Sequence, residues 1–370
     1  MSKLLRRVVH PLVLLAVVFV AMPYLMPGGN PFTLHRGFVD LGTTILIFSL
    51  FAMGFNFLFG HAGELSFGHA MFFAIGAYAT ALYTNGFTGK LFGVLTVSHS
   101  PSHNLFVSLA IALGTVALWA FLLARLIVPR SSGIYFSMVT LAFAQVVYFT
   151  ADNWSEVTGG EDGLQGIARP SLAGFHANAF ADSTFFFSFT AVVVFVMFVV
   201  LWWIIKSPFG TVCHALRENR QRASFLGYDV TKYRINAFFL SALFPAIAGW
   251  LWAYYQQSIN PDTASVDNSG RVVMMSLLGG IQTFFGPSLG SFVYFELQNY
   301  ASTITKYWEA YIGAVFAIFV IVAPRGIWGA VEDVRRYGLT TSIERLFIAP
   351  RARDERRRKQ TMTGLPYAFK

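Results

Sequence analysis

Residues 206–249 read KSPFGTVCHALRENRQRASFLGYDVTKYRINAFFLSALFPAIAG, and this stretch decides how the rest of the chain is organised. Its first half is basic and helical in pattern, and it carries too many charges to cross a bilayer. Apolar runs of membrane-spanning length lie before it and after it. A charged helical insertion between two spans must lie in water on one side of a membrane. We therefore interpret it as a place where another protein docks.

The composition points to a membrane protein. Of the 370 residues, 55% are hydrophobic and 12% are charged, whereas soluble domains carry about 25% charged residues. Mean hydropathy is +0.55.

The single cysteine, Cys213, excludes an intrachain disulfide framework and a CxxC metal or redox site. The net charge of +9 follows the membrane topology instead of forming one basic face, so we expect no nucleic-acid partner.

Apolar runs predict an all-α polytopic fold, because a bilayer core needs about 20 apolar residues per helix. The predicted spans are 8–27, 36–59, 64–84, 104–128, 133–151, 183–206, 233–257 and 308–323. The segment 271–301 contains Gly279, Gly280, Gly286 and Pro287, which favour a break into short helices at 271–282 and 286–301. We thus expect about 8–10 transmembrane helices: ten crossings, or eight plus a re-entrant hairpin.

The basic residues predict the orientation. With the N-terminus and the C-terminus inside, all Lys and Arg residues but five lie on the cytoplasmic side; the five are Arg36, Lys90, Arg169, Arg271 and Lys306. Both basic regions that flank 271–301 are inside, so that segment must cross an even number of times.

The apolar run after Lys3, Arg6 and Arg7 continues to Met26 with no A-x-A-like site behind it, which favours a retained helix over a signal peptide.

The chain divides into two parts. Residues 1–330 form the predicted transmembrane domain, in which 207–232 is a charged cytoplasmic segment, called the coupling segment below. Residues 331–370 form a basic cytoplasmic tail, which we interpret as a solvated segment drawn to anionic lipid headgroups.

The third span begins as GHAGELSFGHAMFFAIGAYATALY over residues 60–83. Small residues such as Gly76 recur three to four apart, which favours close helix packing. Glu64, Ser66 and His69 are polar near its start, and two interpretations stay open. They line a translocation pathway, or Glu64 caps a helix and His69 bonds to a neighbouring helix. His61 and His69 lack the spacing of a metal pair.

Two further segments have open interpretations. The loop containing Thr158, Gly159, Gly160, Asp162 and Gly163 is either a surface turn or a rigid external loop that contacts a docking protein or lines the entrance. The breaks at 279–280 and 286–287 are either structural kinks or helix ends that coordinate substrate along the pathway.

The chain resembles the LivM-type permease subunits of branched-chain (hydrophobic) amino acid ABC importers. The resemblance rests on GHAGELSFGHAMFFAIGAY, SGIYFSMVTLAFAQ, TGGEDGL, SPFGTVCHALRENRQRASFLGYDVTKYRINAFFLSA, LLGGIQTFFGPSLGS and APRGIWG, which occur in this order between about residues 40 and 330. It implies a multi-pass protein of the bacterial inner membrane with the ABC importer permease fold.

The resemblance also implies the partners. These are a second, LivH-type permease, two cytoplasmic ATPases that bind ATP and Mg, and a periplasmic solute-binding protein, besides membrane lipid. The chain itself would hydrolyse nothing and hold no cofactor or metal, in agreement with the missing GxxxxGK[ST] sequence. Relatives of this family handle branched-chain amino acids, and also urea, short amides and aromatic or other carboxylates.

In such importers the coupling helix follows an EAA-like pattern that ends in Gly, and residues 221–227 take that place here. The acid and the first Ala of the pattern are replaced, so the match is loose. The residues expected to couple to an ATPase are Arg217, Glu218, Asn219, Arg222, Ala223 and Gly227.

Two other classes of function compete with the importer. A secondary transporter or channel working alone also fits broken helices, but it lacks the intramembrane charges that couple ions and leaves the charged segment without a purpose. A membrane-embedded enzyme would need a cluster of nucleophile, base or metal ligands, which the sequence does not show.

Overall fold

The computed structural model of the chain describes residues 36–91, 95–170, 180, 182–323 and 326–329. The predicted span at 8–27 and the tail at 331–370 lie outside these residues. The described helices are α1 (Arg36–Asn56), α2 (His69–Asn85), α3 (Leu105–Ile127), α4 (Ile134–Asn153), α5 (Ser155–Thr158), α6 (Ser183–Lys206), α7 (Pro208–Glu218), α8 (Arg220–Phe225), α9 (Val230–Gln256), α10 (Val266–Gly279), α11 (Gly286–Ile304) and α12 (Trp308–Val322). Two short antiparallel pairs join β1 (Phe87–Leu91) to β2 (Leu95–His99) and β3 (Leu164–Gln165) to β4 (Ser258–Ile259).

Six helical segments of the described chain are long and apolar enough to cross a membrane. They are Val39–His61, Leu105–Ile127, Ile134–Asn153, Ser183–Lys206, Val230–Gln256 and Trp308–Gly329. The all-α polytopic prediction is confirmed. The orientation with both termini inside stays a prediction, and so does the total of 8–10 crossings.

Three helices form the centre of the bundle. α1, α2 and α9 bury most of their side chains, whereas α3, α4, α6 and α12 expose many large apolar residues such as Leu118 and Ile321. Apolar side chains on the outside of a membrane protein contact lipid tails, which are as apolar as the protein interior. The peripheral helices therefore carry a surface suited to lipid or to another membrane subunit.

Small residues bring α2 and α9 into close contact. A Cβ built at Gly76 would lie 2.6 Å from the carbonyl oxygen of Ala246, and one built at Gly249 would lie 2.0 Å from that of Phe73. A larger side chain at Gly76 would push the two backbones apart. α2 and α9 are thus held as one packed unit.

The connection between α1 and α2 differs from the predicted span at 64–84. α1 continues through a π-helical turn, Phe57–His61, and a non-helical stretch follows until α2 begins at His69. The backbone of this stretch finds partners outside regular helix: Leu65 O accepts from Ser137 Oγ at 2.7 Å, and Gly60 O accepts from Arg217 Nη1. Side chains from distant segments satisfy the backbone here, which a local pattern does not reveal.

The predicted break in 271–301 is present. α10 runs from Val266 to Gly279 and α11 begins at Gly286, so the first helix begins five residues and ends three residues before its predicted bounds, 271–282. A Cβ at Gly290 would lie 1.8 Å from Met275 O, so the two helices pack backbone to backbone as an antiparallel hairpin. The turn of the hairpin lies beside α1, where Asn56 Nδ2 donates to Thr283 O at 3.1 Å.

Candidate functional site

The bundle has two ends, named here from the predicted charge distribution. The inner end holds α7, α8 and the start of α9; the outer end holds β3, β4 and Pro261–Ala264. Most predicted functional residues lie at one of these ends.

The coupling segment consists of two helices instead of the single short helix that the pattern predicted. Asn219 has extended backbone angles (φ −160°, ψ 106°) and separates α7 from α8. Its Oδ1 accepts from Arg222 N at 2.9 Å and so caps α8. Ser207 caps α7 and Asp229 caps α9 in the same way, through Gly210 N and Lys232 N. Short polar side chains favour these non-helical cap positions, and this is the physical reason for the break.

The tip of α8 is apolar and exposed. Phe225 is 89% exposed and Leu226 is 73% exposed, whereas Ala223 is buried against Val212 and Leu216 of α7. Gly227 follows with φ +88°, a conformation that side chains disfavour, and this turns the chain back toward α9. The segment therefore presents two large apolar side chains to solvent on a helix that is anchored from behind.

A buried ion cluster lies beneath the coupling segment. Glu64 is 2% exposed, and its Oε1 accepts from Arg234 Nε at 2.5 Å and lies 2.7 Å from Arg220 Nη2. Arg234 also donates to Val128 O at 3.1 Å and to Ser131 O at 2.7 Å. A buried carboxylate is stable only when counter-charges and hydrogen bonds replace its hydration. Glu64 thus joins the start of α9, the break between α7 and α8, and the α1–α2 connection.

Arg217 makes a second link to the same connection. It donates to Gly60 O, and its side chain packs against Gly63. Partial burial lowers the pKa of the Arg217 guanidinium below its ordinary value, with Glu218 opposing this shift, and a guanidinium stays protonated at neutral pH. Arg217 and Arg220 together fix the coupling segment to the α1–α2 connection.

The predicted coupling residues divide into two groups. Arg217 is half-buried and Ala223 is buried, so both hold the segment in place. Glu218, Asn219, Arg222 and Gly227 are exposed, and they face the solvent with Phe225 and Leu226. Arg220 and Arg234 are not among the predicted site residues. The signal that could have found them is Glu64 itself, because an acid inside an apolar span requires a basic partner.

The structure places the remaining polar residues of the third span in internal contacts. His69 Nε2 lies 3.2 Å from Ser241 Oγ, and its ring is in edge contact with Phe55, Phe72 and Phe238. Ser66 Oγ accepts from Gly68 N at 3.3 Å. In the described residues no group of three or more His, Cys, Asp or Glu side chains could hold a metal ion.

The external loop is locked onto the outer end of α9. Thr158 Oγ1 lies 2.6 Å from Ala151 O and 2.7 Å from Trp154 O, and the two carbonyl oxygens share its one hydrogen. Gly159, Gly160 and Gly163 all have positive φ, and a Cβ at Gly163 would lie 2.0 Å from Ile259 O. β3 begins at the next residue, Leu164, and pairs with β4. The loop thus packs closely against the backbone that follows α9, and its Asp162 lines a polar cavity.

That cavity, of about 720 Å³, opens at the outer end. Its wall combines the external loop with the outer parts of α9, α10 and α11, and aromatic side chains of α1 and α2 complete it. The lining is mainly polar and includes Asp267, Asn268 and Arg271 of α10. The hairpin breaks at Gly279, Gly280, Gly286 and Pro287 are not part of this lining; they lie at the other end of α10 and α11.

Comparisons with known proteins identify the family. The family model described as the permease component of the branched-chain amino acid transport system matches residues 37–324. The chain is 27% identical over 336 residues to the high-affinity branched-chain amino acid transport system permease protein LivM of Salmonella typhimurium, covering 85% of this chain and 74% of that protein. It is 26% identical over 282 residues to the probable LivM of Methanocaldococcus jannaschii, covering 69% and 80%.

The chain is also 25% identical over 305 residues to the permease protein LivH of Escherichia coli strain K12, covering 80% of this chain and 94% of that protein. No solved structure matches it. The predicted resemblance to LivM-type permeases is confirmed, and the chain belongs to the family of branched-chain amino acid transport system permease components.

Proposed function

We propose that this chain is the transmembrane permease subunit of an ATP-driven ABC importer in the bacterial inner membrane. The proposed substrate is a branched-chain amino acid or a related small polar solute, delivered by a periplasmic binding protein. The family match over residues 37–324 supports the transport role. The observation that carries the ATP-driven part is the coupling segment, which is exposed at its tip and fixed by buried charges at its base.

The proposed assembly contains a second permease of the LivH type and two cytoplasmic ATPases, which bind ATP and Mg. The names of the relatives support the permease pair, because both LivM and LivH are called permease proteins of the high-affinity branched-chain amino acid transport system. The apolar outer surfaces of α3, α4, α6 and α12 offer the area that such a pair would bury.

The first step of the proposed mechanism is docking of an ATPase on α8. Phe225 and Leu226 are large apolar side chains in water at the inner end, and burial of such side chains contributes about 1.5–3 kcal/mol each. The exposed Glu218 and Arg222 would form the polar rim of the same contact. An apolar centre with a charged rim is the usual anatomy of a protein–protein interface.

The second step is transmission of movement into the membrane. Arg220 and Arg217 connect the coupling segment to Glu64 and Gly60, which lie between α1 and α2. α2 is in turn packed backbone to backbone on α9. Closure of the ATPases would therefore move α1, α2 and α9 together, and the permease pair would rock so that a cavity between its subunits faces inward and outward in turn.

Uptake in proteoliposomes tests this proposal. The chain, its partner permease and the two ATPases are reconstituted with ATP inside the compartment that α8 faces, and labelled leucine is supplied with the binding protein on the other side. We expect uptake that requires hydrolysable ATP. A panel of leucine, isoleucine, valine, urea, acetamide and benzoate identifies the substrate class. Uptake by this chain alone without nucleotide would contradict the proposal and support a secondary transporter.

A further inference from the structure

The outer cavity combines opposite charges in one space. Four carboxylates line it, from Glu161, Asp162, Asp262 and Asp267, together with the guanidinium of Arg271. No ion pair joins any of these five side chains to a described residue. Asp267 and Arg271 are four positions apart on α10, a spacing that places both on one helix face. The cavity therefore offers a cation and several anions that are free to bind opposite charges.

Aromatic rings close the inner wall of the cavity. Phe48 lies at the centre, with ring centroids 5.0 Å from Phe295, 5.4 Å from Trp252 and 5.8 Å from Phe73. All four side chains line the cavity. An apolar group that reaches this wall leaves water, and an ammonium above a ring face gains a cation–π contact.

Amide side chains supply further hydrogen-bonding groups. Gln298 lines the cavity, and its Oε1 is buried without a hydrogen-bond partner among the described residues. A buried polar atom without a partner costs free energy that a ligand can recover. Gln298 thus marks a position where a hydrogen-bond donor is missing.

We propose that this cavity binds a free apolar α-amino acid as a zwitterion. Arg271 takes the carboxylate, the carboxylates of Asp267 and its neighbours take the ammonium, and the apolar side chain lies on the rings around Phe48. This inference rests on the proposed function and adds to it a substrate site within this chain. The volume of about 720 Å³ falls in the range of small-molecule sites, which span about 300–1,000 Å³.

The same lining argues against a metal ion as the occupant. Four carboxylates surround the cavity, yet no three of the described His, Cys, Asp or Glu side chains are grouped closely enough to share an ion. Carboxylates that are too far apart to share one ion, next to a guanidinium, suit a ligand that carries an ammonium and a carboxylate side by side.

Protection of an introduced cysteine tests the site without the binding protein. Gln256 is exposed in the cavity, so Gln256→Cys in a Cys213→Ala background gives one accessible thiol. The matched control is Thr303→Cys, which is exposed on α11 outside the cavity. The reconstituted complex is treated with a charged thiol reagent with and without leucine. We expect leucine to slow modification at position 256 at least threefold and to leave position 303 unchanged.

Two comparisons make the test specific. Isoamylamine and 4-methylvalerate each keep the apolar chain and one charge of leucine, and we expect both to protect less than leucine. Arg271→Ala added to Gln256→Cys should abolish protection by leucine, while Arg169→Ala, which changes an outer arginine that does not line the cavity, should keep it.

Three results would each overturn the inference. Leucine fails to slow labelling at position 256, leucine protects this position equally in Arg271→Ala, or protection by leucine requires the binding protein. ATP-dependent leucine uptake by the unaltered complex is measured beside it. Leucine uptake without protection removes the site alone, whereas lack of ATP-dependent uptake of every solute in the panel removes the proposed function.

Discussion

Arg234 Nε lies 2.5 Å from Glu64 Oε1, although 170 positions separate the two residues in the chain. Arg220 reaches the same oxygen from the coupling segment. One buried carboxylate therefore ties the segment that faces water at the inner end to the segment that enters the membrane core. In the proposed mechanism, this link carries a movement of α8 to the residues that precede α2.

Loss of the Glu64 charge should destabilise the protein. Glu64→Gln leaves Arg234 buried without its counter-charge, and breaking a buried ion pair in this way costs about 3–5 kcal/mol. We expect a clear fall in the thermal unfolding temperature of the purified protein. Glu156→Gln, at an exposed acid of α5, is the control and should unfold like the wild type.

The double variant Glu64→Gln, Arg234→Met tests whether the unpaired charge of Arg234 causes the loss of stability in Glu64→Gln. Without Glu64 and Arg234 only Arg220 remains charged, and it is partly exposed and can turn to solvent, so the double variant should be more stable than Glu64→Gln alone. Equal unfolding temperatures for the wild type and Glu64→Gln would show that the pair does not stabilise the fold.

Gly76 should tolerate no side chain. Gly76→Ala places a Cβ 2.6 Å from Ala246 O, and overpacking of this kind costs about 1–3 kcal/mol. Gly76→Leu should abolish the yield of folded protein in the membrane. Gly114→Ala is the matched control, since a Cβ there meets nothing within 4 Å. Equal yield and activity for Gly76→Leu and the wild type would mean that this face of α2 is not in close contact with α9.

Substitution of two arginines of the coupling segment should impair the protein in two different ways. Arg217 holds the segment to Gly60, so Arg217→Ala should retain the ATPases but reduce transport per ATP hydrolysed. Arg222 is exposed, so Arg222→Ala should weaken retention of the ATPases while changing the free energy of unfolding by no more than about 0.5 kcal/mol. The triple variant of Arg217, Glu218 and Arg222 to Ala should uncouple transport, and normal uptake by it would contradict the assignment of this segment.

Cys213 should be inert in the folded protein. Burial raises the pKa of its thiol from 9.0 to about 12, and the thiolate is the form that reacts with alkylating reagents. We expect N-ethylmaleimide to label the native protein slowly at pH 8 and the unfolded protein rapidly. Because the folded pKa is the higher one, the stabilising contribution of this group is complete below pH 9 and is lost as the pH rises toward 12. Equally fast labelling of native and unfolded protein would show that α7 does not bury this residue.

Local sequence patterns predicted the parts of the fold that depend on local properties. Apolar length identified the long spans, and Gly279, Gly286 and Pro287 identified the break between α10 and α11 because these residues act on their own backbone. The start of α2 at His69 was not predictable in this way, since the non-helical residues before it depend on Arg217 and Ser137.

The site was predictable only in part for the same reason. The coupling segment is charged, so its exposure follows from composition. The partners of Glu64 come from two other segments, and the outer cavity combines side chains from α1, α2, α9, α10, α11 and the external loop. A sequence pattern describes neighbours along the chain, and it does not determine which distant charges meet.

Co-purification from the native membrane tests the central claim most directly. A tag on this chain is used to isolate the complex in mild detergent, and mass spectrometry and ATP turnover are measured on the product. The account predicts a second permease and ATPases with the wild type. It also predicts loss of the ATPases with Phe225→Ala, Leu226→Ala, and their retention with the outer-end control Ile304→Ala. A chain that is isolated alone, stable and competent for transport without nucleotide would contradict the account.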